Sequence, residues 1–559
     1  MKSLSFHACA TFALAAVSLP LTLSAQNFSF GFPQFPLLPG NLVVSRSVYD
    51  NRAANVTVGE TLPPNCVVST GSCVTAAYDG TYPFVFNNAP IDGSFGITSR
   101  IFLDQITPFG WPISTIEVPN NLEGRVGAKN DQLVTSFSSK SELALNLSTD
   151  GRYLTFMGYV SPANAVDVSN SNTPGAMDPT NPVGENVYRA VARVDQSGHF
   201  TFTETNAYSG NNGRAAILYN TNDQDLYYTA GNAGNGSNPQ PLGVDLGAGA
   251  QLIVPSNEPE SDQSPADPPT PLGSFSITQL GFKADKIGKD DNFRGLTVYN
   301  NVVYYSKGSG GNGDNTVYFV DTTGSACPKG SGVPSPAAKL PTEPLSYTAS
   351  TVATDGLPSN MCVLNGFPVT SNKATTPTNY PFGMWFANPT TLYVADEGDG
   401  YEGGTDLYTH AAAQTLAGLE KWVLDTSTNT WTLAYTLTSG LNIGTPYTVR
   451  GYPTGDNPGS SPAGLPWSPA TDGLRNITGK VNPDGTVTIW AITSTVSGSG
   501  DSGADPNKLV VITDKVSNTT AAQAAKEQFI ALRTAQFGEV LRGISFTPGT
   551  NNAFSHQGW

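Results

Sequence analysis

Residues Phe293 to Asp321 read FRGLTVYNNVVYYSKGSGGNGDNTVYFVD. An apolar run meets a tight turn, continues as a Tyr- and Val-rich run, crosses a Gly-rich loop and ends in a third apolar run near Asp321. Alternating apolar residues, β-branched and aromatic enrichment, and turn residues between the runs predict short antiparallel strands. The phrase recurs. PFGMWFANPTTLYVADEGDG leads to LEKWVLDTSTNTWTLAYTL, LRNITGKVNPDGTVTIWAITST leads to KLVVITD, and ELALNLSTDGRYLTFMGYV leads to YRAVARVDQSGHFTFTET. A fifth copy opens GRAAILYNTNDQDLYYTAGN.

The sixth copy is split. LRGISFTPG, from Leu541, has the first-strand phrase with almost no chain after it, whereas NLVVSRSV at Asn41 followed by RIFLDQITPFGWPISTIEV has the character of the remaining three strands. With Leu143, Arg214, Arg294, Phe382, Arg475 and Arg542 as equivalent starts, the period averages roughly 80 residues, as for propeller blades with long loops. The expected fold is therefore all-β: a single β-propeller over residues 41–559, with six blades of about four strands and a ring closed by strands from both termini. Seven blades are the alternative if Ala233 to Asp291 hides another, and two side-by-side β domains compete with both.

Composition agrees. The 58 Gly and 42 Pro among 559 residues make about 18%, against a usual share of about 12%, and helix interiors reject both. Charged residues are 13%, about half the usual quarter, which excludes a coiled coil or an acidic disordered tail. Two stretches depart from the repeat. Pro255 to Pro271, PSNEPESDQSPADPPTP, reads as an extended acidic loop, and Thr519 to Gln536, TTAAQAAKEQFIALRTAQ, as a helix capped by Asn518 or Thr519.

The turn phrases and LTVYNNVVYYSK resemble NHL-type and related secreted propeller repeats, and the chain is similar to a group of secreted propeller proteins that brings no activity with it. The resemblance implies the fold and no catalytic residue.

Residues 1–25, with Lys2, an apolar run from Ala10 to Leu23, and then Ser24 and Ala25, read as a secretory signal peptide; 26–40 would be a short N-terminal leader. The apolar run is short for a membrane span, which needs about 20 residues. Without the signal, 27 basic face 44 acidic residues, a formal net charge of −17 that argues against a nucleic-acid surface. Four cysteines then remain, an even number that suggests two disulfides in a secreted, extracellular or periplasmic monomer: Cys66–Cys73 and Cys327–Cys362 are the expected pairs, with other pairings and free thiols as the alternatives.

In a propeller, the connections from second to third strand and from fourth strand to the next blade open on one face around the central channel. Here those are the long ones, Asp50 to Gly96, Gly308 to Asn315, Asp396 to Gly418, Ser439 to Gly473 and Ser497 to Asn507, and elaborated loops on a rigid ring are where ligand contacts concentrate. Arg214, Arg294, Arg475 and Arg542 begin inner strands at equivalent phases, so their guanidinium groups would stand at one height near the channel mouth. They suit a carboxylate, sulfate or phosphate. Alternatively they tie blades together, since Asn211, Asp291, Asp472 and Glu539 each stand three residues earlier.

DEGDGYEGGTD holds Asp396, Asp399, Glu402 and Asp406 as a candidate Ca²⁺ loop, although the spacing is not that of an EF-hand; a solvated acidic loop is the alternative. Tyr452, Arg450 and Trp467 could stack on and pair with an acidic sugar. His410 and Tyr447 are the candidate proton carriers. No His pair for zinc, G-x-S-x-G elbow, P-loop or dinucleotide fingerprint is present, and no nucleotide or haem cofactor is indicated. Of six glycosylation sequons, Asn146 and Asn476 fall in predicted inner strands, where a glycan has no room.

The leading expectation is a ligand-binding propeller that recognises an extracellular anionic glycan or phosphorylated compound on its loop-rich face. The rival is an enzyme there. One form is a polysaccharide lyase in which Arg475 or Arg450 neutralises a uronate and Tyr447 or His410 moves the proton; the other is a calcium-assisted phosphoesterase.

Overall fold

In the computed structural model of the chain, the opening stretch forms Gly295–Tyr299, Val302–Lys307 and Asp314–Val320, paired antiparallel in that order. The structure describes residues 36–550 apart from 71–72, 77–95, 124–131, 138–141, 175–183, 233–248, 256–271, 275–291, 309–313, 328–329, 343–360, 372–378, 458–463 and 500–502. The expected signal peptide and nearly all of the Pro-rich loop lie outside the described residues.

Six sheets follow one another, each numbered below from its inner strand outward. Blade 1 is Glu539–Phe546, Leu42–Val48, Thr98–Ile106 and Pro112–Glu117, which is the predicted closure: one strand from the C-terminal end and three from the N-terminal end. Blade 2 is Asn146–Leu147, Tyr153–Tyr159, Arg189–Asp195 and Phe200–Thr205, and blade 3 is Gly213–Tyr219, Leu226–Gly231, Ala250–Ile253 and Leu272–Ser274. Blade 4 adds Met361–Leu364 to the three strands above. Blade 5 is Pro381–Asn388, Thr391–Asp396, Gly418–Asp425 and Thr430–Leu437, and blade 6 is Ala470–Val481, Thr486–Val496, Lys508–Lys515 and Ile530–Thr534. The stretch Ala233 to Asp291 supplies the two outer strands of blade 3, so the count is six.

Alternation along each strand binds the ring. Successive side chains point to opposite faces, so every blade offers one apolar set to each neighbour. Ala215 and Ile217 pack toward blade 4 while Ala216 and Leu218 pack toward blade 2. In blade 5, Leu392 and Val394 face blade 4 while Tyr393 and Ala395 face blade 6. Such sandwich-like packing leaves no separate core for two side-by-side domains.

The inner strands also meet closely. A Cβ on Gly295 would lie 1.9 Å from Phe382 O, and one on Gly543 would lie 2.2 Å from Leu143 O. The Arg-Gly pairs at 294–295 and 542–543 therefore combine an arginine with the glycine that lets the neighbouring strand approach. Asn146 and Asn476 use their amides between inner strands, donating to Ala216 O at 3.2 Å and Arg542 O at 2.9 Å. Both disulfides form as paired in the sequence, and no helix among the described residues is long and apolar enough to cross a membrane.

The helix expected at Thr519–Gln536 is absent. Residues 519–526 form turns held by the Gln523 side chain, and Ile530–Thr534 is the outer strand of blade 6. Burial of Ala524 and Phe529 between blades 5 and 6 overrides the local Ala-rich propensity. Among the described residues an α-helix lies at Leu407–Ala413, after the acidic DEGDG turn, with Leu407 and Ala411 packed on Leu465, Ala470 and Val496.

Candidate functional site

The four arginines come from inner strands of blades 3, 4, 6 and 1, and all are buried: Arg214 and Arg294 are 5% exposed, Arg475 4% and Arg542 2%. For Arg214, Arg475 and Arg542 the partners found among the described residues are not the residues three positions earlier. Glu397, just after the second strand of blade 5, reaches both Arg475 Nε at 3.2 Å and Arg294 Nη1 at 3.6 Å. Asp472 instead accepts from Gly400 N at 2.9 Å and Gln414 Nε2 at 2.5 Å, while Glu539 pairs with Arg46. Asp291 lies outside the described residues. Blade-to-blade tying is thus real for Arg294 and Arg475, but its acid comes from a loop more than seventy residues away in sequence.

Arg214 differs. Its Nη1 donates to Asn292 Oδ1 and, at 3.1 Å, to Phe293 O, yet its Nε has no hydrogen-bond partner and no carboxylate among the described residues forms an ion pair with it. Burial and the neighbouring Arg294 charge push this guanidinium down to about 9, so it still carries its charge at neutral pH. Arg542 donates through Nε to Ser47 Oγ at 3.2 Å and through Nη2 to Phe137 O.

Two buried charged groups were passed over by sequence reasoning. Glu142, fully buried one residue before the blade 2 repeat start, accepts from Thr135 Oγ1 at 2.5 Å, from Ser136 N and from the Tyr159 hydroxyl. Arg189 is buried on three backbone carbonyls, those of Ser169, Val187 and Asn211. The position of Glu142 in the repeat was the available signal. Nothing in the local sequence marked Arg189.

Beside Glu397 lies a second group. Gly473 admits the backbone of Asp396 and Glu397, since a Cβ there would sit 2.3 Å from Asp396 O. Asp396 accepts from Tyr380 N at 2.7 Å and Gly398 N at 2.9 Å, while Asp399 Oδ2 lies 2.6 Å from His410 Nε2 and Tyr401 stacks on the imidazole with centroids 3.9 Å apart. Tyr401 in turn donates to Asp406 Oδ1 at 3.1 Å. The candidate calcium ligands Asp396, Asp399, Glu402 and Asp406 do not converge. Among the described residues, the metal-ligand atoms that do gather belong to Asp321, Cys327 and Cys362, and both of those sulfurs are in the disulfide.

The aromatic candidates are committed to packing. Tyr452 and Trp467, 5% and 2% exposed, join Tyr49, Leu62 and Phe137 in an apolar cap over the loops of blades 1, 2 and 6, and Tyr452 donates to Asp505 Oδ1 at 2.7 Å. Their faces are covered by protein rather than open to a sugar. Tyr447 donates to Pro506 O at 2.8 Å with Lys508 Nζ 3.5 Å from its ring centre, and burial holds its phenol well above the ordinary value, so it keeps its proton at neutral pH. Arg450 is exposed.

Burial pushes Asp396 and Asp472 up to about 7 against the hydrogen bonds that oppose it. Unfolded, both titrate near 4. The folded chain therefore binds more protons between about pH 4 and 7, and this part of its stability is lost as pH rises through 7. Urea midpoints are expected to fall from pH 5 to pH 8, and Asp472→Asn to flatten the decline. A variant profile as steep as the wild type would remove Asp472 as a source.

No protein-family model matches the chain, and no curated protein matches it. Among solved structures it is similar to a polysaccharide lyase, an ulvan lyase bound to a GlcA–Rha3S saccharide, with 12% identity, a TM-score of 0.30, and coverage of 81% of this chain and 92% of that one. It is similar to an acylaminoacyl peptidase of Pyrococcus horikoshii (8% identity, TM-score 0.25, 88% of this chain and 54% of that one). It is also similar to a cobalt-substituted apocarotenoid oxygenase of Synechocystis (9% identity, TM-score 0.29, 91% of this chain and 93% of that one). Likenesses this weak carry no inference about activity.

Proposed function

We propose that this propeller is a secreted binding protein for an anionic ligand, a carboxylate, sulfate or phosphate group carried by a glycan or small molecule, with Arg214 as the principal contact at the loop-rich end of the channel. The observation that supports this reading is the state of Arg214: a buried, charged guanidinium with an unused Nε and no ion-pair partner among the described residues. The charges of Glu142 and Glu397 favour the cation, but neither forms an ion pair with it, and its Nε is left without a hydrogen bond inside the protein. An anion would supply the missing partner, and Arg can bind one bidentately.

Calorimetric titration with sulfate, phosphate and glucuronate tests the reading. Hydrogen bonds to charged groups contribute about 1.5–3 kcal/mol, so Arg214→Gln is expected to weaken binding by about ten- to a hundredfold while leaving the chain folded. Equal binding by the variant would sink the proposal.

A second reading, lyase action on a uronate polysaccharide, is favoured by the His410–Asp399 contact with Tyr401 stacked on it. There His410 would take the proton beside the uronate carboxylate, with Asp399 orienting the ring. Appearance of unsaturated-uronate absorbance during incubation with the polysaccharide would decide for it over pure binding.

A further inference from the structure

The inner strands carry a second ring of side chains around the channel. Counted from the repeat starts Leu143, Arg214, Arg294, Phe382, Arg475 and Arg542, the third residue on is Asn146, Ile217, Thr297, Trp385, Thr478 and Ser545. All six line one cavity of about 90 Å³. Three residues of strand advance about 10 Å, so this ring lies well past the arginine level, toward the turns that join first to second strands. Asn300 and Asn301, the turn of blade 4 with φ of +47° and +59°, border the cavity there.

Five of the six ring residues bring a polar group. Trp385, 2% exposed, has its Nε1 buried without a hydrogen-bond partner. The hydroxyls of Thr297, Thr478 and Ser545 likewise make no hydrogen bond to another described residue. The indole is held in place, because a Cβ on Gly479 in the inner strand of blade 6 would stand 2.5 Å from Trp385 Cδ2, and Tyr393 packs beside the ring with centroids 6.0 Å apart. Asn146 is fixed as well, through its amide on Ala216 O. Buried polar groups in folded chains are paired with protein or with an occupant. An indole N–H and three hydroxyls left over around one cavity ask for an occupant that carries hydroxyls.

Size, charge and the walls select it. The volume is several times the roughly 10–15 Å³ that one water requires, and it falls well short of the about 300–1,000 Å³ of pockets that enclose larger ligands. The described lining residues include no Lys, Arg, His, Asp or Glu, so an anion, which suits the arginine level, would give up its water here for no opposite charge. Between the polar groups stand Leu147, Ile477, Ile544 and Phe546. Water gains little from such walls. A polyol offers them its C–H groups and turns its hydroxyls to Trp385, the two threonines and Ser545.

We infer that the end of the axial channel away from the arginines is a binding site for a small uncharged polyol of tetritol size, with Trp385, Thr297, Thr478 and Ser545 as its hydrogen-bonding residues. The site is separate from the arginine level and does not rest on the proposal made for Arg214.

Calorimetric titration of the full chain with erythritol tests it. Saturable binding is expected, equal in the wild type and in Arg214→Gln and unchanged by added sulfate. Thr297→Val combined with Thr478→Val exchanges two hydroxyls for methyl groups of the same shape and should weaken erythritol at least tenfold. Trp385→Phe keeps an aromatic ring, removes the N–H and should weaken it about three- to tenfold. Melting temperatures confirm that the variants fold, and the Val pair decides if Trp385→Phe does not. Three results overturn the inference: no saturable binding of erythritol by the wild type, which leaves the cavity to water; undiminished binding by the Val pair; or displacement of erythritol by sulfate together with its loss in Arg214→Gln, which would move the ligand to the arginine level.

Discussion

Asp514→Ala is expected to destabilise the chain by about 3–5 kcal/mol, the usual cost of removing one member of a buried ion pair. Lys421, on the third strand of blade 5, and Asp514, on the third strand of blade 6, are both wholly inaccessible, and Lys421 Nζ donates to Asp514 Oδ2 at 2.8 Å. The ammonium also reaches Tyr435 Oη and the carbonyls of Lys515 and Val516 at 2.9–3.0 Å. Tyr435 donates to Asp514 Oδ1 at 2.7 Å and Tyr393 to Asp514 Oδ2. Burial acts to raise the Asp514 carboxyl, but hydrogen bonds from Glu527, Lys421 and the two tyrosines outweigh it and hold the group below its ordinary value. Removing the carboxylate strands the ammonium and both phenols at once. The loss should appear in denaturant midpoints followed by tryptophan fluorescence. Replacing Lys421 by Met together with Asp514 by Leu should recover most of it, because an apolar pair leaves no buried charge behind. A single variant that melts like the wild type would show that the two blades do not depend on this junction.

Glu397→Gln is the second large effect, and it acts in two directions. Glu397 compensates Arg294 and Arg475 together. Without it both guanidinium groups stay buried with less opposing charge, and stability should drop by about 3 kcal/mol. The same change makes the channel mouth more positive around Arg214, so sulfate should bind at least tenfold more tightly and raise the melting temperature of the variant more than that of the wild type. A variant that loses stability and gains no response to sulfate would mean that Glu397 is purely a structural tie.

Much of the architecture is legible in the sequence because its cause is local. The isolated first-strand phrase at Leu541 and the three unpaired runs after Asn41 can be completed only by each other, and the structure joins Leu42 to Phe546 and Val48 to Glu539. The phase of the arginines is legible for the same reason, since each follows the repeat. Their chemistry is not. Glu397 sits in a loop of blade 5 and meets inner strands of blades 4 and 6, a contact no reading of neighbouring residues reveals, whereas Asp472 and Glu539, the local candidates, turn to other partners. The Ala-rich run after Asn518 misleads in the reverse sense: its composition favours helix, but Phe529 and the open edge of blade 6 decide its conformation. Tyr452 and Trp467 look like sugar platforms because sequence does not show that loops from several blades meet over them, while Phe109 and Trp111, unremarked within a strand phrase, are, among the described residues, aromatic rings left in water.

The central claim is that Arg214 awaits an anion. Titrating sulfate and glucuronate into the wild type and into Arg214→Gln, with melting temperatures recorded alongside, addresses it most directly. The account predicts saturable binding to the wild type, affinity at least tenfold lower in a variant that remains folded, and anion-induced stabilisation confined to the wild type. Identical titrations for the two proteins, or a wild type that binds none of sulfate, phosphate and glucuronate, would contradict it.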